Sequence, residues 1–216
     1  MRANVFDFVK AHEAVIFDLD GVLVDTAIYH FQAWKRLANE LGFDFTHEEN
    51  EQLKGVSRMQ SLEKILHWGK VRIPEDGKHK LAAQKNEWYL EYVQQMDQEG
   101  LLPGAAALLQ WLKANGYKVA LGSASKNAQL ILRQTGITHF FDCVIDGNAV
   151  SESKPDPTVF LRAARGLGVE PRNCVVFEDA QSGIDAARAA EMSVVGVGMG
   201  LLHADILIDG LDEVLI

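Results

Sequence analysis

Asp18-Leu19-Asp20-Gly21 brings two carboxylates together directly behind the apolar run Ala14-Val15-Ile16-Phe17. In a strand-to-loop turn one would extend from the strand end and the other would be turned by the bend at Gly21, so the two could do different jobs. Taken alone, Asp-x-Asp-Gly is also ordinary turn composition. A second acidic pair, Glu178-Asp179, ends the run Cys174-Val175-Val176-Phe177. Four carboxylates at one sheet edge would repel unless a hard cation joined them, and oxygen ligands of this kind suit magnesium, Mg2+. An acidic cap on the helix that follows would account for Glu178-Asp179 equally. Gly122-Ser123-Ala124-Ser125-Lys126-Asn127 offers hydroxyls, turn amides and a helix start suited to an anion, or simply helix-capping side chains. Ser153-Lys154-Pro155-Asp156-Pro157 is a proline-framed turn that presents one lysine.

These groups can meet only if strands deliver them to one edge. The runs at 14–17, 118–121, 143–145, 174–177 and 194–197 are continuously apolar, which predicts strands buried on both faces of a parallel sheet, with Ile206-Leu207-Ile208 a weaker sixth. One helix lies between most of them. Leu108, Leu109 and Leu112 share a helical face that Gly116 ends, and Pro157 opens a helix carrying Phe160, Ala163, Ala164 and Leu167 before Gly168. The expected architecture is therefore α/β, a Rossmann-like parallel sheet core.

About a hundred residues separate the first strand from the second, and they read helical. Ala33, Leu37 and Leu41 follow helical spacing, as do Leu62, Ile65 and Leu66, then Leu81, Trp88, Tyr92 and Met96. This predicts an inserted all-helical cap at 26–95 over a core made of 1–25 and 96–216. Ligands of open parallel sheets bind beyond the carboxyl ends of the strands, where such an insert would stand as a lid.

In combination these strand-end motifs resemble the haloacid dehalogenase-like superfamily, over essentially the whole chain. The runs Asp25-Thr26, His30, Trp34, Leu53 to Arg58, Ser61-Leu62, Lys85-Asn86 and Ser123 to Asn127 are similar to those of its sugar phosphomutases. The resemblance implies that Asp18 is the nucleophile, becoming an aspartyl phosphate, and that Asp20 is the general acid/base. It implies Mg2+ held by the Asp18 carboxylate, the Asp20 backbone carbonyl, Glu178 and Asp179, with Ser123, Ala124 and Lys154 on the phosphoryl oxygens. Arg58, Ser125, Lys126 and Asn127 would form a distal phosphate pocket. Trp34, Lys54, Gly55, Val56, Ser57 and Ser61 would line the sugar cavity. His30 and Lys85 would couple cap closure to the placing of Asp20, and Thr26 would act as a hinge or as a helix N-cap. The reaction implied interconverts β-D-glucose 1-phosphate and glucose 6-phosphate through a 1,6-bisphosphate.

Three positions depart from the family pattern. About thirteen residues precede the first strand, Ala180 stands where a serine is common, and the chain stops early after Leu211. The nearest rival is a magnesium-dependent sugar-phosphate phosphatase of the same superfamily, which has no need of a second phosphate site. A phosphoacceptor switch would need neither the insert nor Asp20.

Composition narrows the partners. Thirty acids against 21 bases give a net charge of −9, which argues against nucleic acid and membrane surfaces and leaves a small-molecule sugar phosphate. At 216 residues roughly 70% of the unfolded chain's surface can be buried, enough for one domain with an insert. Cys143 and Cys174, both in apolar runs, are expected as inert core thiols of a reducing, cytoplasmic compartment. No apolar stretch approaches a membrane span. His-Glu-x-x-His is absent and Gly196-x-Gly198-x-Gly200 lacks dinucleotide-loop spacing, so nicotinamide binding is not expected. A monomer is the default.

Overall fold

A computed structural model describes residues 5–215, so residues 1–4 and 216 of the expected core lie outside the described residues. Six strands form one parallel sheet: β1 (Ala14–Phe17), β2 (Lys118–Gly122), β3 (Cys143–Ile145), β4 (Cys174–Glu178), β5 (Ser193–Val197) and β6 (Ile206–Ile208), in the order β3-β2-β1-β4-β5-β6. The central β1 pairs with β2 on one side and β4 on the other, Phe17 standing opposite both Leu121 and Phe177. Sheet order and register therefore bring Asp18, Ser123 and Glu178 to adjacent strand ends.

Residues of β1 alternate between two cores. Val15 and Phe17 pack under α1 (Val5–Lys10), α6 (Ala105–Ala114) and α7 (Ala128–Gln134), while Ala14 and Ile16 pack with α8 (Thr158–Leu167) and α9 (Gln181–Ala189). Helix α8 buries Val159, Phe160, Ala163, Ala164 and Leu167 as one stripe and stops at Gly168, whose φ of 64° is the left-handed conformation of a helix end. Burial on both faces holds for β1 and β4, but the edge strands β3 and β6 are only partly covered. Consequently Cys174 is buried whereas Cys143, on β3, is not fully so. Both thiols are free, and burial pushes each above the usual thiol range, Cys174 to about 11. The long lead before β1 is occupied by α1, which buries Val5 and Val9 in the same core as Leu211 and Val214 of the terminal 3-10 turn Leu211–Leu215.

Between β1 and β2 the chain forms α2 (Ala27–Glu40), α3 (His47–Glu51), α4 (Arg58–Trp68) and α5 (Glu75–Val93). The outgoing and returning segments meet at a bridge between Val24 and Leu101. Helix α2 buries Ala33, Trp34, Leu37 and Ala38, and α4 buries Ser61, Leu62, Ile65 and Leu66. The inward face of α5 is Ala82, Lys85, Trp88, Tyr89 and Val93, a quarter-turn from the predicted stripe. Leu81 and Tyr92 fall on its half-buried flank because a lysine and a tyrosine take the central positions.

Candidate active site

Lys154 Nζ lies 2.6 Å from Asp18 Oδ1 and 2.8 Å from Glu178 Oε2, with all three side chains buried. Asp18, Glu178 and Asp179 each offer a carboxylate oxygen, and these oxygens lie within 4.8 Å of one another. Two glycines permit the convergence. At Gly21, with φ at 81°, a Cβ would stand 2.2 Å from Asp179 Oδ2, and at Gly183 one would stand 2.0 Å from Glu178 Cδ. The backbone amide of Ala180 donates to Glu178 Oε1 at 3.1 Å, and Ala180 stands at the N-cap of α9, which starts without a side-chain cap.

Burial raises Glu178 and Asp179 above the carboxylate range, and the charge of Asp18 adds to it. Lys154 opposes this, and its own pKa is pushed up by the two carboxylates despite burial. An ammonium between two carboxylates stays charged, so the strain falls on the acids in excess of it. A compact set of hard oxygen donors carrying surplus negative charge fits a divalent cation.

Asp20 turns away from that trio and accepts a hydrogen bond from the Thr26 hydroxyl. Burial first, then the charges of Asp18 and Asp179, raise it to about 7, against the pull of Thr26 and Lys154. Thr26 stands at the N-cap of α2 but makes no side-chain cap bond, because its hydroxyl is committed to Asp20. The N-cap expectation therefore holds for its position and fails for its side chain.

Across from Asp20, Lys85 Nζ lies 2.9 Å from His30 Nδ1 and within 4.7 Å of the Trp34 and Tyr89 ring centres. Burial, with Arg58 nearby, lowers both bases well below their ordinary values. Among the described residues the buried Tyr89 hydroxyl has no satisfied hydrogen bond, since the Thr26 hydroxyl beside it is given to Asp20; burial and the Asp20 charge raise its pKa against the pull of Thr26.

The loop after β2 is ordered from within. Ser123 Oγ accepts from the Ser125 amide at 3.1 Å, and Ser125 Oγ accepts from the Asn127 amide at 3.2 Å. Asn127 Nδ2 then donates to Asn86 Oδ1 on α5 at 2.8 Å, tying the core to the insert. Between them lies a cavity of about 110 Å³. Core residues Asp18, Asp20, Ser123, Ala124, Ser125, Lys126, Asn127 and Asp179 line it with His30, Trp34, Lys54, Gly55, Val56, Arg58, Ser61 and Lys85 from the insert. Arg58 is partly desolvated, which lowers its pKa, and among the described residues neither it nor Lys126 is in an ion pair.

Four expected residues lie off this wall. Ser57 caps α4, its hydroxyl accepting from the Gln60 amide, and lines an adjoining cavity of about 390 Å³. Thr26 stands behind Asp20, and Lys154 and Glu178 lie beneath Asp18. Ala27, Asn50 and Asn86 join the wall, and the Tyr89 ring packs beside His30 and Lys85, without a role expected of them. Asn86, adjacent to Lys85, carried a trace of signal; Asn50 and Tyr89 look like any polar and any aromatic residue on a helix.

The family model for haloacid dehalogenase-like hydrolases matches residues 12–191. The chain is 44% identical to β-phosphoglucomutase of Bacillus subtilis (strain 168) over 91% of its own length and 88% of that protein. It is 33% identical to fructose-1-phosphate phosphatase YqaB of Escherichia coli (strain K12), over 87% and 97% of the two chains. Among solved structures, β-phosphoglucomutase from Clostridium difficile superposes with a TM-score of 0.90 at 43% identity, covering 94% of this chain and 92% of that one.

Proposed function

The chain belongs to the haloacid dehalogenase-like hydrolase family, and we propose that within it the chain acts as a β-phosphoglucomutase, interconverting β-D-glucose 1-phosphate and glucose 6-phosphate. The observation that carries this reading is the unpaired, half-buried Arg58 facing Ser125, Lys126 and Asn127 in the same cavity as Asp18. A guanidinium left without a carboxylate in a desolvated wall suits a second phosphate, which a phosphatase does not need.

In the proposed cycle an Asp18 carboxylate oxygen attacks the phosphorus of the bisphosphate, the bond to the sugar oxygen breaks, and Asp20 gives that oxygen its proton. When the 1-phosphoryl group has been taken, glucose 6-phosphate leaves, and a β-glucose 1-phosphate molecule lying the other way round offers its 6-hydroxyl to the phosphoenzyme. Asp20 takes the proton, and the phosphoryl group passes from Asp18 to the sugar. With a pKa of about 7, Asp20 populates both forms at neutral pH, as acid and base in turn require. Ser123, the Ala124 amide and Lys154 hold the transferring oxygens. Lys54, Gly55, Val56, Ser61 and Trp34 hold the sugar.

Mg2+ is the ion proposed for Asp18, Glu178, Asp179 and the Asp20 carbonyl, where it would offset charge between nucleophile and phosphate. Residues 26–95 are proposed as a cap whose closure, sensed through His30 and Lys85, keeps water from the aspartyl phosphate. No helix of the described residues is long and apolar enough to cross a membrane, and a monomeric cytoplasmic enzyme is the corresponding proposal.

The test is to supply Mg2+, β-glucose 1-phosphate and a trace of the bisphosphate, and to measure glucose 6-phosphate and free phosphate in parallel. Glucose 6-phosphate is expected to dominate. Predominant free phosphate would instead favour the phosphatase reading, for which the likeness to the fructose-1-phosphate phosphatase speaks.

A further inference from the structure

Lys54 lies on the loop between α3 and α4, yet its ammonium reaches the acid trio. Nζ stands 3.2 Å from Asp179 Oδ2 and 2.9 Å from Glu51 Oε2. Its backbone is seated on the core as well, since the Ser182 hydroxyl donates to the Lys54 carbonyl at 3.4 Å. The next residue, Gly55, adopts φ of 70°, and a Cβ there would stand 2.5 Å from Ser182 Oγ. The insert loop thus rests on the turn that carries Glu178 and Asp179, held by an ion pair at one point and by close backbone approach at the next. Asp179 is almost fully buried while the Lys54 side chain is about one-third exposed, so Lys54 can leave and Asp179 cannot.

A divalent cation in the trio draws on the same Asp179 carboxylate. Its two charges at that carboxylate weaken the hold of a single ammonium and repel it at short range. We propose that Lys54 is a metal-responsive latch: in the metal-free protein it closes the insert onto the core through Asp179, and binding of a divalent cation releases it, freeing the insert to admit substrate. The inference rests on the trio being a divalent-cation site, and not on which sugar phosphate is transformed.

The test uses the full chain without substrate. Mg2+ affinity is read by titration calorimetry, and insert position by energy transfer between dyes on exposed positions of α5 and α8. Lys54→Met is expected to bind Mg2+ about fivefold more tightly, the order of one partly exposed ion pair. It is also expected to shift the dye distances towards the released value before any metal is added, by a population change of the same order, about fivefold, whereas the native protein makes this shift on Mg2+ addition. Lys54→Arg keeps the native response. Glu51→Gln, an exposed change that leaves Asp179 as the sole carboxylate for Lys54, is expected to weaken Mg2+ binding, and so gives a result of opposite sign should Lys54→Met not fold.

Unchanged Mg2+ affinity in both variants, or a dye distance in the native protein that ignores Mg2+, overturns the latch. A native protein that binds no Mg2+ overturns it also. Failure of the mutase reading would appear instead as free phosphate in the sugar assay, a measurement independent of this one.

Discussion

Thr26→Val isolates the contact that sets the proton affinity of Asp20. The two side chains are nearly isosteric, position 26 is fully buried, and the Thr26 hydroxyl does not cap α2, so the substitution removes one hydrogen bond and leaves the helix start as it was. That bond favours the charged form of Asp20. A hydrogen bond to a charged group contributes about 1.5–3 kcal/mol, and one pKa unit corresponds to about 1.4 kcal/mol. Part of the bond survives with the neutral acid, so we take the low end and expect a rise of about one unit.

In the half reaction where sugar monophosphate meets the phosphoenzyme, Asp20 must be ionised, and kcat/KM rises with pH through its pKa. For an upward shift of about one unit from a native value near 7, kcat/KM of the variant falls about tenfold at pH 6 and nearly equals the native at pH 9. A divalent cation lowers both midpoints together, so the difference between the two profiles is the quantity to read. Thr26→Ser should overlay the native curve. A limb that moves downward, or a uniform loss at every pH, would refute the assignment of Asp20 and of Thr26 as its partner.

Tyr89→Phe is expected to stabilise the substrate-free protein, since the hydroxyl it removes is buried, the Thr26 hydroxyl beside it is given to Asp20, and an unsatisfied group of this kind costs about 1–3 kcal/mol. Thermal unfolding should rise by about 2–4 °C for each kcal/mol recovered, and a fall would show that the hydroxyl has a partner. Metal-free protein should lose stability as pH rises from 4 to 7, because folded Asp20 still holds a proton that the unfolded chain, with a pKa of 3.8, has released. For Asp20 alone the loss is about 3 kcal/mol, and urea midpoints at pH 5 and 8 with and without Mg2+ should show the metal restoring much of it; midpoints that rise with pH in the absence of metal would contradict it. Gly55→Ala places a side chain at φ of 70° and against Ser182 in the substrate-free protein, so it should destabilise the fold by about 1–2 kcal/mol of left-handed strain, read as a fall in the urea midpoint; an unchanged midpoint would show that the loop does not hold this conformation.

What was legible in the sequence was whatever is decided locally. Strands covered on both faces read as unbroken apolar runs, so β1 and β4 were visible, and the acids at their ends followed; β6, an edge strand only partly covered, gave the weaker signal of three apolar residues. Partial cover of the edge was not visible, which is why Cys143 looked as buried as Cys174. Helix α5 was read by its apolar residues, and its inward face was misplaced because Lys85 sits there with His30 and two aromatic rings. For Thr26 a local capping rule suggested one of two expected roles, hinge or N-cap, when a carboxylate six residues earlier, across a bend, had the stronger claim on its side chain. Helix α1 offered too few residues to show a period, and only the sheet it covers reveals its use.

The same separation between local and distant explains how a chain of net charge −9 can hold two phosphates. The acids that matter are confined to one point, where Asp18, Glu178 and Asp179 share the ammonium of Lys154 and, from the insert, that of Lys54. Each pairing removes a negative charge from the field seen in the cavity, and a divalent cation would remove more. Arg58 and Lys126 stay out of every ion pair among the described residues, although acids outnumber bases by nine and could have claimed them. Lys126 is exposed and costs folding little, but Arg58 is partly desolvated without a carboxylate, which is unfavourable unless an anion arrives, so the arrangement is best understood as a site whose electrostatics are completed by its substrate.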